Sequence, residues 1–169
     1  MSEDGPRRLG LSEDWAVVPF LGLTCAGFVA AVYDFWVLQE LSLRLSAPLA
    51  AGVLLVAFGG YMRITSRRAL MGAGFGLLNS ARLQIVEDHR LVTRGVYGHI
   101  RHPLYLGEIA RNLGFTLVLS SMYGFALVLA GCLFLPLRMG IEERMLLERF
   151  GEEYEEYMAR TKRLIPYVY

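Results

Sequence analysis

Charge is missing from three long stretches of this 169-residue chain: residues 15–33, 45–62 and 113–137 hold no Asp, Glu, Lys or Arg. A membrane span needs about 20 mostly apolar residues, and blocks of this kind exclude an ordinary soluble domain. With 54% apolar residues and a mean hydropathy of +0.39, the chain reads as a polytopic membrane protein. Cysteine is scarce. Cys25 and Cys132 both fall inside apolar runs, with no metal-ligand or redox spacing, so both read as inert packing residues. Neither sign of charge is in excess: a net charge of +1 excludes a general affinity for nucleic acid. A secretory signal is not evident. Residues 1–14 mix Arg7 and Arg8 with Glu3, Asp4, Glu13 and Asp14, and the apolar run behind them exceeds a signal core. The glycine-rich fragment GAGFG at 72–76 lacks a preceding strand, a completing glycine and a βαβ unit, so it reads as a bend and not a dinucleotide loop.

What is present divides into spans and polar knots. A first span is expected from Trp15 to Leu38, with Asp34 near its far end and Trp15, Tyr33 and Trp36 suited to the aromatic belts of the two membrane surfaces. A second is expected from Leu45 to Met62. A basic, irregular segment follows from Arg63 to His102, holding Arg63, Arg67, Arg68, Arg82, Arg90, Arg94 and Arg101. The positive-inside bias places it in the cytoplasm, and the N-terminus with it. The uncharged run 113–137 fits either one span or the outer part of a hairpin that turns at Ser120–Gly124. In the hairpin, one helix starts at Pro103, a residue suited to the first helical position, and the other descends from about Tyr123 past Pro136. The C-terminal stretch EERMLLERFGEEYEEYMARTKRLIP repeats Leu146, Leu147, Phe150, Tyr154 and Tyr157 at helical spacing, as an amphipathic helix does.

Three polar clusters lie where lipid should be. The first is GVYGHIRHPLY, residues 95–105. The second is Glu108, Arg111 and Asn112. The third is Arg138 with Glu142 and Glu143. Ionisable groups in hydrocarbon cost several kcal/mol or more, about enough to force each toward a cavity or a partner. Tyr105, Glu108 and Asn112 share a helix face; Arg111 can pair with Glu108, and Arg138 lies four residues before Glu142. If 113–137 were one span, the first and third clusters would sit on opposite membrane surfaces. The hairpin brings both to one surface, so the expected fold is an all-α polytopic membrane bundle. It has about four transmembrane helices, a C-terminal helical hairpin and an amphipathic C-terminal helix. Residues 1–169 form one domain: two spans in 1–64, then a loop, hairpin and terminal helix in 65–169.

The series EDHRLVTRGVYGHIRHPLYLG, RMGIEE and ERFGEEYEEYMARTKRLIP resembles the isoprenylcysteine carboxyl methyltransferase family, which includes phospholipid methyltransferases. The resemblance covers about residues 82–169. It implies that S-adenosylmethionine is held by His89, Arg90, Leu91, Val92, Tyr97, His102, Pro103, Leu104, Tyr105 and Glu142, with Gln84 as a further candidate whose spacing is off. It implies that Arg138 contacts substrate. The chain is too short for the extra N-terminal spans of several relatives, which bears on the lipid-facing tunnel more than on the cofactor pocket. The implied partner is a lipophilic or lipidated molecule entering from the bilayer, in a cell membrane, with both termini cytoplasmic and no metal.

The chemistry fits the residue types. A carboxylate nucleophile is ionised at neutral pH and needs a cation to orient it, which Arg138 offers by a bidentate contact. An amine nucleophile needs a proton acceptor, and Glu108 is the candidate. The balance favours carboxyl methylation of an isoprenylcysteine-type molecule. Lipid amine N-methylation stays open. So does an NADPH-dependent membrane reductase, which RHPLYLGE also resembles, and so does a non-catalytic membrane scaffold.

Overall fold

The computed structural model describes residues 14–38, 46–72 and 91–165. Among these, the fold is helical, with no strand beyond one isolated parallel bridge between Ile100 and Lys162. Helix α1 spans Val17–Tyr33 and continues as one π-helical turn over Asp34–Leu38. Helix α2 spans Ala47–Met71; Ser46 caps it by accepting from Leu49 N at 3.3 Å. A 3₁₀ turn at Gly95–Gly98 leads to α3, Pro103–Val118, with proline at its first position as expected. A tight turn with Ser120 at φ +53° reverses the chain. Ser121 then caps α4, Met122–Cys132, accepting from Gly124 N at 2.9 Å. Helix α5 is Leu135–Phe150, and α6 is Glu152–Arg160.

The hairpin is therefore the arrangement found. Three stretches are long and apolar enough to cross a membrane by length and composition: Val17–Leu38, Ala47–Met71 and Met122–Phe150. Helix α3 has 16 residues, about 24 Å at 1.5 Å per residue, and packs along α2.

Boundaries differ from the sequence reading in three places. The second span does not end at Met62: the helix runs on to Met71. Charge does not stop a helix, and long arginine side chains can carry their heads to the interface while the backbone stays helical. The descending arm breaks at Leu133–Phe134, just ahead of Pro136, whose ring cannot sit in a helix interior without losing a hydrogen bond. The C-terminal amphipathic stretch is two helices, divided at Gly151, where φ of +52° suits glycine. Glu152, Glu153 and Glu155 then occupy the first turn of α6 and Arg160 its last, matching the helix dipole.

Small residues bring the helices together. On α2, Gly52 and Gly59 face Gly114 and Gly107 of the antiparallel α3; both pairs are seven residues apart and share a face. A Cβ added at Gly59 would lie 2.5 Å from the Gly107 carbonyl, and one at Gly52 would lie 2.7 Å from that of Gly114. Gly27 of α1 and Gly124 of α4 approach in the same way. Between helices in lipid, where no hydrophobic drive operates, such backbone proximity supplies the packing. The core of Phe20, Val128, Cys132, Leu135 and Met139 joins α1, α4 and α5. Large apolar side chains such as Val29, Leu54 and Leu133 face outward, as lipid contact requires. Asp34 is buried at the far end of the first span, and the Ser121 hydroxyl donates to it at 2.5 Å. This ties the end of α1 to the hairpin turn.

Candidate active site

The end of the bundle opposite that turn carries the polar residues. His102 is the N-cap of α3 and is 4% exposed. Glu143, on α5, gathers donors around it. Arg101 Nε donates to Oε1 at 2.8 Å, and His102 Nε2 lies 3.2 Å from the same oxygen. Arg163 donates to Oε2 through Nε at 3.0 Å and also through Nη2. Arg101 extends the network, donating to the carbonyls of Met158 at 3.2 Å and Thr161 at 2.6 Å.

The backbone seals this arrangement. Arg101 N donates to Lys162 O at 2.8 Å and His102 N to Arg163 O at 3.0 Å, while Lys162 N donates to His99 O at 3.2 Å. The residues after α6 thus run as a strap beside 99–102. Tyr157 OH donates to the Tyr97 carbonyl at 2.7 Å. Burial pushes the Tyr157 phenol up to about 12. Burial also pushes up the phenols of Tyr97 and Tyr154, and negative charge adds to both: Glu142 for Tyr97, Glu143 and Glu142 for Tyr154.

Glu142 is one residue from Glu143 and differently placed. Its Oε2 lies 3.6 Å from His102 Nδ1, too far for a hydrogen bond. That oxygen is buried with no hydrogen-bond partner, and so is the hydroxyl of Tyr154, which is 1% exposed. Buried polar atoms without partners are rare enough to need an explanation such as a missing ligand or water. One turn before Glu142, Arg138 packs its guanidinium 5.8 Å from the Tyr105 ring centroid. The rings of His102 and Tyr105 are 5.5 Å apart. The hairpin therefore gathers His102, Tyr105, Arg138 and Glu142 at one end. The Glu142 oxygen carries the charge to attract an ammonium, and Tyr97, buried, with Leu104 and Tyr105, half-buried, supply apolar and aromatic side chains of the kind an aromatic base packs on. Among the described residues no group of three or more His, Cys, Asp or Glu is arranged to hold a metal ion.

Other expected residues fall as follows. Leu91 and Val92 are half-buried in irregular chain ahead of the 3₁₀ turn, and Pro103 is buried at the head of α3. His89, Arg90 and Gln84 lie outside the described residues. Glu108 has both oxygens engaged: Arg63 Nη1 donates to Oε2 at 2.6 Å, and Arg111 Nη2 donates to Oε1 at 2.6 Å, with Asn112 Nδ2 at 3.3 Å. Both lone-pair faces of this carboxylate are thus taken up by charge-assisted hydrogen bonds within the bundle. The sequence reading placed Glu143 in the third cluster without its role as hub, and it left out Arg163, the partner of Glu143, and Asp14, to which Arg138 donates through Nε at 3.1 Å. The EE pair at 142–143 and the arginines in RHP and KRLIP were the available signals for the first two. Asp14, 124 positions from Arg138, gave none.

Comparison with known proteins points to one family and fold. A family model described as phospholipid methyltransferase matches residues 47–153. The protein-S-isoprenylcysteine O-methyltransferase of Tribolium castaneum is 33% identical over 118 residues, covering 69% of this chain and 41% of that protein. The Homo sapiens protein of the same name is also 33% identical over 118 residues, with 69% and 40% covered. The chain thus spans about two-fifths of the length of these relatives. The solved structure of a eukaryotic intramembrane Ras methyltransferase, isoprenylcysteine carboxyl methyltransferase, superposes with a TM-score of 0.68 at 26% identity. The match covers 95% of this chain and 55% of that one.

Proposed function

The chain belongs to the phospholipid methyltransferase family, and from that premise we propose that it is an integral membrane enzyme that methylates the carboxylate of an isoprenylcysteine-type lipid, with S-adenosylmethionine as donor. The observation that carries this reading is the buried, unpartnered Oε2 of Glu142 facing His102, one helical turn from Arg138. In this reading Glu142 holds the ammonium of the cofactor, while Tyr97, Leu104 and Tyr105 line the apolar part of its pocket. Leu91, Val92, His102 and Pro103 complete the described wall, and His89, Arg90 and Gln84 are assigned to it from the family resemblance. The cofactor, when bound, supplies a methyl group on a cationic sulfur, which keeps the electron pair of the carbon–sulfur bond as an oxygen takes the methyl.

The residues of the chain then have two tasks. Arg138 orients the substrate carboxylate, which is ionised at neutral pH and needs no general base. The buried end of the bundle excludes water and aligns the reactants. The engagement of both Glu108 oxygens by Arg63 and Arg111 favours an acid over an amine as nucleophile, because the carboxylate named as proton acceptor for an amine is already bonded to two guanidiniums. Glu108 on this reading braces α2 against α3. The basic inner segment supports a cytoplasmic site, with the lipid tail arriving between helices.

The test is binding of radiolabelled S-adenosylmethionine to the purified protein, with methyl transfer to a prenylcysteine acid. Glu142→Ala should abolish cofactor binding while the protein stays folded. Unchanged binding in that variant would remove the basis of the reading.

A further inference from the structure

Asp14 has no part in the reaction as described, yet it occupies the cation that the reaction needs. It stands just ahead of α1, is 8% exposed, and its Oδ2 accepts from Arg138 Nε and also lies 3.1 Å from Nη2. Its Oδ1 is buried with no partner. Burial pushes the Asp14 carboxyl up in spite of the guanidinium beside it. A buried ion pair with one carboxylate oxygen unsatisfied recovers little of its desolvation cost, so Asp14 is a replaceable partner for Arg138.

Resting on the reading of Arg138 as the substrate-orienting cation, we propose that Asp14 is an internal surrogate for the substrate carboxylate. It holds Arg138 in the absence of substrate, gives way to an incoming lipid acid, and reclaims Arg138 once that acid has become an uncharged ester. The exchange is selective because an acid returns to Arg138 the charge that Asp14 withdraws, whereas an ester returns none. One side chain thus favours acids on entry and esters on departure.

The experiment measures equilibrium binding of N-acetyl-S-farnesylcysteine and of its methyl ester to the full chain in nanodiscs. Asp14→Asn should tighten binding of the acid about tenfold, the equivalent of one such competing pair, and change binding of the ester far less. Asp14→Ser serves as the second variant should Asp14→Asn not fold. In an Arg138→Gln background the gain should vanish. Acid binding that is unchanged or weaker without Asp14 overturns the proposal, as does an equal gain in the Arg138→Gln background; a pair that only positions Arg138 predicts weaker binding. Failure of the wild-type protein to transfer methyl groups while the acid gain persists would overturn the enzymatic reading and leave the surrogate role standing. Binding of the acid by neither protein overturns both.

Discussion

Glu142 and Glu143 are chemically identical neighbours, and about 100° of helical rotation separates their fates. Glu143 turns toward Arg101, His102 and Arg163 and becomes the acceptor that holds α5, the 99–102 turn and the strap together. Glu142 turns toward His102 with an oxygen left over. Removing the charge of Glu143 leaves two arginines without their counter-ion, and breaking a partner out of a buried pair costs about 3–5 kcal/mol. Glu143→Gln should therefore lower the melting temperature in detergent well below that of the wild type, and an unchanged melting curve would contradict the hub. A second expectation concerns alkali. The Tyr157 phenol is held at about 12 in the fold against an ordinary value of 10.0, so the folded state keeps a proton that the unfolded state has released. Its contribution to stability is complete below pH 10 and is lost as pH rises from 10 toward 12. Tyr157→Phe should flatten that part of a melting-temperature profile, at the cost of the hydrogen bond to the Tyr97 carbonyl.

At the scale of elements, the paired glycines of α2 and α3 set how closely those helices approach. A Cβ at Gly59 meets Gly107 O at 2.5 Å and Arg111 N at 2.6 Å, both backbone atoms that cannot swing aside, whereas a Cβ at the adjacent Gly60 meets nothing within 4 Å. Gly59→Ala should destabilise by about 1–3 kcal/mol, as overpacking does. Gly60→Ala should be neutral or stabilising by up to about 1 kcal/mol from helix propensity. Equal effects in unfolding measurements would show that the α2–α3 contact is looser than described. Close approach here also brings Arg63 within reach of Glu108, so the same two helices carry the packing and the charge bracing.

For the whole molecule, the hairpin decides which groups share a surface. Asp14 meets Arg138, and the strap meets 99–102, so the start of α1 and the residues after α6 lie at one end of the bundle. Met122 and Tyr123 lie at the other, exposed at the head of α4. Single cysteines placed by Trp15→Cys, Ile165→Cys and Tyr123→Cys, in a chain without Cys25 and Cys132, should report this to a membrane-impermeant thiol reagent. The first two should label from one face of sealed vesicles and the third from the opposite face. Labelling of Trp15→Cys and Ile165→Cys from different faces would be incompatible with the hairpin.

The sequence by itself determined the spans and the gathering of the polar knots. Uncharged blocks of span length admit little but helices in lipid, and Arg138 and Glu142 cannot share a ligand with His102 unless the run between them turns back. It determined the start of α3 through Pro103 and the hairpin turn through Ser120–Gly124. Only the tertiary structure decided which acid serves as hub and which stays open, because that depends on the rotation of α5 against its neighbours. The helix continuing to Met71, the division at Gly151 and the pairing of Arg138 with Asp14 were decided there too. Local chemistry fixes where a helix can lie. The contacts between residues remote along the chain exist only once packing has chosen which faces meet.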